Sequence, residues 1–240
     1  MRPQSPRSRA IIALAGLAAP LAALPEAASS DFPGTTVPGT STTTTTTSAQ
    51  PPTATAARVA DVVPTHRRLN VTSGRCALVS GYLSPGIAGA AVLLQRQTGR
   101  GWRTIAHTTS GPNGRFRVRY RTGRPGSARL RLQVSGEAPP AYHETVGRLN
   151  VYRQVYVSWY GPGLYGNHLS CGGTLGPGTI GVANKTLPCG TRVTLRYHGR
   201  MLRVRVIDRG PYVFGREYDL TAATRARLQT PSTGVILATA

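Results

Sequence analysis

Acidic side chains are scarce in this 240-residue chain, and three of its eight (Asp208, Glu217 and Asp219) stand within one dozen positions near the C-terminus. Asp208 ends the apolar stretch Val204–Ile207 and precedes Arg209-Gly210-Pro211, which reads as a sharp turn. A carboxylate at a strand end is held by rigid backbone while it faces a groove, and such a group can protonate the leaving oxygen of a glycosidic bond. The same residues also suit a structural turn in which Asp208 pairs with Arg209 or accepts backbone N–H groups. Asp219 stands two residues ahead of the helix predicted over Thr221–Leu228, where a carboxylate favours the helix dipole and the unpaired N–H groups. Glu217 is expected to face solvent or to pair with Arg216 or Arg225.

Other groups near these acids suit sugar recognition. Tyr160, Tyr165, Tyr212 and Tyr218, with Trp159, offer aromatic faces that can stack on sugar rings or fill a core. Trp159 is expected to pack inside. Lys185 and Arg209 can contact carboxylate or lactyl groups, while His168 and His198 fall in predicted loops and are read as solvent-exposed. Of three cysteines, Cys171 and Cys189 share the C-terminal region and are expected to oxidise outside the reducing cytosol. Closing that loop contributes roughly 3 kcal/mol in the chain-entropy model. Cys76 is left over as a small apolar residue. No second paired cysteine spacing or histidine cluster accompanies them, so neither a metal site nor a cofactor is expected.

The elements that must position these groups are mostly strands. Gln154–Tyr160, Arg192–Tyr197, Met201–Ile207 and Gly234–Thr239 alternate as strands, and Thr221 is a suitable N-cap for the one helix. Residues 151–240 are therefore expected to form a compact β-barrel. Upstream, over 65–150, Cys76–Leu83, Ala91–Gln95, Trp102–Thr108, Arg115–Tyr120 and Ala128–Val134 are separated by Gly/Pro turns, which predicts an all-β sandwich. Val92, Leu94 and Gln95-Arg96 before Gly101-Trp102, then Gly114-Arg115-Phe116, resemble bacterial immunoglobulin-like modules. That resemblance implies a spacer or adhesive role. Arg115, Arg117, Arg119 and Arg121 read as the solvated face of one strand.

Arg2, Arg7 and Arg9, the apolar run Ala10–Leu24 and the small residues Ala27-Ala28-Ser29-Ser30 have the layout of a secretory signal over 1–30. A Thr/Pro/Ala-rich stretch over 31–64 reads as a disordered linker. The formal charge is +21, with Lys185 the only lysine among 29 basic residues. Such a balance points to an anionic polymer as partner. For an exported chain that is a wall polymer, not a nucleic acid. Secreted, extracellular or wall-associated protein is the expected form, and a monomer is expected.

Four ordered segments carry a family resemblance: Ser158-Trp159-Tyr160-Gly161, Ala183-Asn184-Lys185-Thr186-Leu187-Pro188, Asp208-Arg209-Gly210-Pro211-Tyr212 and Gly215-Arg216-Glu217-Tyr218-Asp219-Leu220. Together they resemble the rare lipoprotein A (RlpA) family, related to the expansins. The resemblance implies a six-stranded double-psi β-barrel with a groove across it, and lytic transglycosylation of peptidoglycan glycan strands. It implies Asp208 as acid/base, Asp219 as the matching second acid, and Tyr160, Asn184, Lys185, Arg209 and Tyr212 as substrate-binding positions. Cys171-Gly172-Gly173 and Cys189-Gly190 look like the disulfide-bearing, actinobacterial style of the family. Asn184 stands where the family commonly has histidine, and asparagine cannot exchange a proton near neutral pH. A non-catalytic, expansin-like glycan-binding or wall-loosening module is therefore the alternative expectation.

Overall fold

The computed structural model describes residues 61–135 and 142–240; the expected secretory segment and positions 31–60 of the expected linker lie outside the described residues. The elements run β1 (Asp61–Arg68), β2 (Asn70–Thr72), β3 (Cys76–Ser84), β4 (Ala91–Thr98), β5 (Gly101–Thr109), β6 (Arg115–Arg121), β7 (Gly126–Ser135), β8 (His143–Tyr160), β9 (Val182–Ala183), β10 (Arg192–Tyr197), β11 (Arg200–Asp208), β12 (Tyr218–Thr221), α1 (Ala222–Leu228) and β13 (Gly234–Ala238). The described residues are all-β apart from α1 and a short 3-10 turn at Pro112–Gly114.

β1 takes in Asp61–Pro64, four residues that composition assigns to the linker, and pairs them with Gly81–Ser84 of β3. Pro64 hides the alternation. It is tolerated because the register shifts between Pro64 and His66, so the missing N–H falls at an irregularity on an edge strand. β1, β3 and β6 make a three-stranded sheet, and β5, β4, β7 and β8 follow one another in a second, with β2 parallel to β8. Val62, Val79, Phe116 and Val118 from the first sheet and Val92, Leu94, Leu130, Leu132 and Leu149 from the second share one buried core.

A second core gathers Val155, Val157, Val182, Val193, Leu195, Val204, Val206, Tyr218, Leu220, Leu228 and Ile236. The strands around it close on themselves. β8 pairs with β13, β13 with β10, β10 with β11, β11 with β9, β9 with β12, and β12 again with β8. The β8–β12 and β9–β11 pairs are parallel, the others antiparallel. This six-strand ring has no free edge. β8 serves both cores: its first half pairs with β7 and its second with β13 and β12. The expected boundary at 150/151 therefore falls inside one continuous strand, without a linker.

Local chemistry explains the ends of α1. Thr221 accepts from the Thr224 N–H at 3.2 Å, and Gln229 closes the helix in the left-handed region at φ 55°. The hairpin between β10 and β11 turns on His198 and Gly199, both at positive φ, as a two-residue hairpin loop requires.

Candidate active site

Four neighbouring strands of the ring place a row of side chains side by side. Asp219 on β12 pairs with Ser158 on β8 and with Ala183 on β9, and Ala183 pairs with Asp208 on β11. The order across the sheet is Ser158, Asp219, Ala183, Asp208. Neighbouring strands lie about 4.8 Å apart, so the two acids flank Ala183 with about 10 Å between their backbones. Val157, Leu220 and Val182, one position away on three of these strands, belong to the core, so the row lies on the opposite face.

Alternation alone places Asp208 with Val204 and Val206, facing the core. A β-bulge prevents this. Val206 pairs with Val182 and Asp208 with the next residue, Ala183, so Ile207 is an extra residue on β11. Bulges of this kind re-aim the side chain that follows. Two features accommodate the extra residue. The Ile207 carbonyl accepts from the Cys171 N–H at 3.2 Å, and the Ile207 side chain lies over Gly181, where any Cβ would collide with it. Beyond Asp208 the chain turns at Gly210, whose φ of 121° suits glycine.

Asp208 is half-buried. Its Oδ1 accepts from the Ser170 N–H at 2.9 Å and the Arg209 N–H at 2.8 Å. Its second oxygen makes no hydrogen bond of ordinary geometry among the described residues. Asp219 accepts from the Ser158 hydroxyl. The Tyr160 hydroxyl is buried and has no hydrogen-bond partner of ordinary geometry among the described residues. Burial first, then the negative charges of Asp208 and Asp219, and least a contact with the Asp208 carboxylate, raise the Tyr160 pKa well above the usual phenol range. Tyr160 thus stands as a neutral phenol close to both acids. The Cys171–Cys189 disulfide, with Cα atoms 5.5 Å apart, ties the loop bearing Ser170 to the turn after Pro188. It therefore fixes one of the two amides that hold Asp208.

The remaining candidates divide by what already occupies them. Asn184 is 8 % exposed. Its Oδ1 accepts from the Thr186 and Leu187 N–H groups at 3.0 and 2.8 Å, and its Nδ2 donates to the Glu217 carbonyl at 2.9 Å. The Arg209 guanidinium donates to the Asn184 and Leu187 carbonyls at 3.0 and 2.8 Å and to Cys189 Sγ at 3.1 Å. Direct sugar contact by either side chain requires these bonds to break. Lys185 and Tyr212 are exposed. Lys185 lines a cleft of about 390 Å³ with Thr186, Phe214 and Arg216. Phe214, absent from the sequence-based set, is fully exposed beside Val213 and Tyr212. Two aromatics and a valine in one short turn are its available sequence signal.

Two local expectations change, those for Asp219 and Glu217, and the open reading of Tyr218 is settled. Asp219 lies within β12 and bonds Ser158, while Thr221 caps the helix; two extended residues separate the acid from α1. Glu217 pairs with Arg153 at 2.5 Å, not with Arg216 or Arg225, because β8 runs alongside its segment. Arg225 instead lies 4.8 Å over the half-buried Trp159 ring. Tyr218 is core: it is fully buried and donates to the Ala240 carbonyl at 2.6 Å, and burial pushes its pKa up to about 12. Ser170 and Gly181 shape the site without any signal in the sequence, and Ser158 and Ala183 are visible only as the first residues of two family segments; their types carry no chemistry until the register joins them. Among the described residues no three His, Cys, Asp or Glu side chains are grouped to hold a metal ion.

A closed six-strand ring with two parallel pairs and an acid at a bulged strand end is a double-psi-type barrel, and residues 152–239 match the model of a family described as lytic transglycolase. The C-terminal domain is RlpA-like. The chain is 40 % identical over 80 residues to the probable endolytic peptidoglycan transglycosylase RlpA of Synechocystis sp., covering 32 % of this chain and 25 % of that protein. It is 36 % identical over 95 residues to the endolytic peptidoglycan transglycosylase RlpA of Campylobacter jejuni, covering 39 % and 34 %. Against the probable endolytic peptidoglycan transglycosylase RlpA of Aquifex aeolicus it is 32 % identical over 122 residues, covering 50 % and 51 %. The chain thus spans about half or less of the length of these relatives.

Proposed function

We propose that the C-terminal barrel cuts peptidoglycan glycan strands by lytic transglycosylation, with Asp208 giving and then taking the proton. The observation that carries this reading is the bulge at Ile207, which turns a carboxylate, both of whose main-chain donors sit on Oδ1, onto the outer row beside Asp219. Asp208 in its acid form protonates the bridging glycosidic oxygen as the bond to the sugar's anomeric carbon breaks. The sugar's own 6-hydroxyl then closes on that carbon and loses its proton to Asp208. The acid is restored and an anhydro end is left without water entering. Asp219, held by Ser158, supplies negative charge near the developing oxocarbenium ion. Exposed Tyr212 and Lys185 are assigned to the glycan, whereas Asn184 and Arg209 hold the loop that frames the site.

Placement in the envelope is supported by the Cys171–Cys189 disulfide and by the secretory layout of the N-terminus. Residues 65–150 are read as an immunoglobulin-like spacer, and the whole as a secreted or wall-associated monomer. The alternative, a non-catalytic glycan-binding module, is favoured by one observation: position 184 carries no proton-transferring group, and its carboxamide is already bonded to main chain. One assay separates the two. Denuded glycan strands incubated with the protein should yield anhydro-ended fragments by mass spectrometry, and Asp208→Asn should cut the rate by about 10²- to 10⁴-fold. Retention of the glycan with no fragments from the native protein removes the enzymatic reading and leaves the binding one.

A further inference from the structure

A cleft of about 640 Å³ opens between the N-terminal sheets and the barrel, lined by Arg68, Arg75, Arg119, Arg121 and Arg196. These residues come from separate places: the end of β1, the turn before β3, the outward face of β6 and the outward face of β10. Only Arg68 spends its guanidinium on the protein, donating to the Cys76 carbonyl at 3.2 Å. The other four make no side-chain hydrogen bond and no ion pair among the described residues, and none of the lining residues is acidic. A solvated face does not account for this arrangement. Arg115 and Arg117 also point outward from β6, yet the cleft gathers only Arg119 and Arg121 of that strand, against cations of three other segments. Concave clusters of one charge focus the field and concentrate counter-ions. Guanidinium groups are suited to bind oxyanions through paired N–H donors.

We propose that this cleft binds a linear polyanion with closely spaced oxyanions, either phosphates or carboxylates, and holds it beside the barrel. Single-stranded nucleic acid is disfavoured because the one aromatic among the described lining residues, Tyr152, is fully buried with its hydroxyl turned to Asn70 and Met201 and offers no face for base stacking. That the polymer is a wall component rests on the envelope reading above; the affinity of the cleft for an oxyanion chain does not.

Fluorescein-labelled inorganic polyphosphate and poly-glutamate of matched charge serve as probes, read by anisotropy with the full chain across a salt series. The better-bound probe identifies phosphate or carboxylate as the preferred oxyanion. Arg75→Gln/Arg119→Gln/Arg121→Gln should weaken binding at least about tenfold and lower the slope of log affinity against log salt by about three. Arg100→Gln/Arg103→Gln/Arg227→Gln removes the same charge from exposed positions outside the cleft and should stay within about twofold of the native chain. Cys76, a free thiol in the lining, gives a local readout: saturating probe should slow its alkylation several-fold. Equal loss in both triple variants, or alkylation indifferent to the probe, overturns the site. So does single-stranded DNA of equal charge binding more tightly than either probe. A protein that binds polyphosphate but neither binds nor cuts purified wall sacculi keeps the cleft and sinks the envelope reading. Glycan cleavage without affinity for either probe does the reverse.

Discussion

In β6 arginines at 115, 117, 119 and 121 alternate with Phe116, Val118 and Tyr120 without interruption, whereas in β11 the same alternation runs through Arg203, Val204, Arg205 and Val206 and then breaks at Ile207. Both strands set arginine outward and apolar residues toward a core. The regular one yields a charged face, two of whose arginines, Arg119 and Arg121, line the cleft beside the barrel. The interrupted one gains one residue, and that residue turns the next side chain to the other face of the sheet. The outward acid of β11 thus comes from a fault in its period, and the fault is stabilised by Gly181 beneath Ile207 and by the Cys171 N–H on its carbonyl.

The strongest way to break this comparison is to repair the fault. Inserting one alanine between Val182 and Ala183 gives Ile207 a partner and returns Asp208 to the core side by regular alternation, so glycan cleavage should fall by about 10²- to 10⁴-fold, as for loss of the acid itself. Anhydro-product formation at the native rate by a folded insertion variant would show the bulge to be irrelevant. Next in size is the tether that β6 lacks. Cys171→Ser/Cys189→Ser should lower unfolding free energy by roughly 3 kcal/mol in urea titration. It should also slow cleavage, because Ser170 loses its fixed place against Asp208. Unchanged stability would detach the disulfide from the bulge.

A smaller effect sharpens the electrostatic side of the comparison. Tyr160 and Tyr218 keep their protons in the folded chain at pH values where an unfolded chain has lost them, since both folded pKa values are raised, that of Tyr218 to about 12. The unfolded state then binds fewer protons, so stability should fall as pH rises above about 10. Asp208→Asn should lower the pH at which Tyr160 ionises, because one of the charges that oppose phenolate is gone. Absorbance at the phenolate band, followed together with unfolding, checks both. Least is expected from β6 itself: Arg115→Ser/Arg117→Ser should leave stability within about 0.5 kcal/mol and cleavage unaltered.

Much of this architecture was legible in the sequence where the period is local. Strands close to β10, β11, β13 and the second half of β8 follow from alternation, and Thr221 from its place before an apolar helical pattern. β9 and β12 were not, because two and four residues are too few to show a period. Without them Asp219 looked like a helix-capping acid; with them it is a strand residue beside Ser158. The bulge was hidden for a different reason. Nothing in Val204–Asp208 marks an extra residue, since a bulge is defined by the partner strand, here Val182–Ala183. Asn184 and Arg209 were recognisable as polar groups near the acid, but their engagement with the Thr186–Cys189 turn depends on how that loop closes. The acids announced themselves by scarcity. Their supports Ser170 and Gly181 did not.

β8 has one more consequence. From Tyr152 at the arginine cleft to Tyr160 beside the acids is eight residues, about 26 Å at strand spacing, with no joint between. Tension on the N-terminal sheets is therefore transmitted down a single hydrogen-bonded ribbon to the row of acids. The barrel is joined to those sheets as one rigid piece rather than hung from them on a leash.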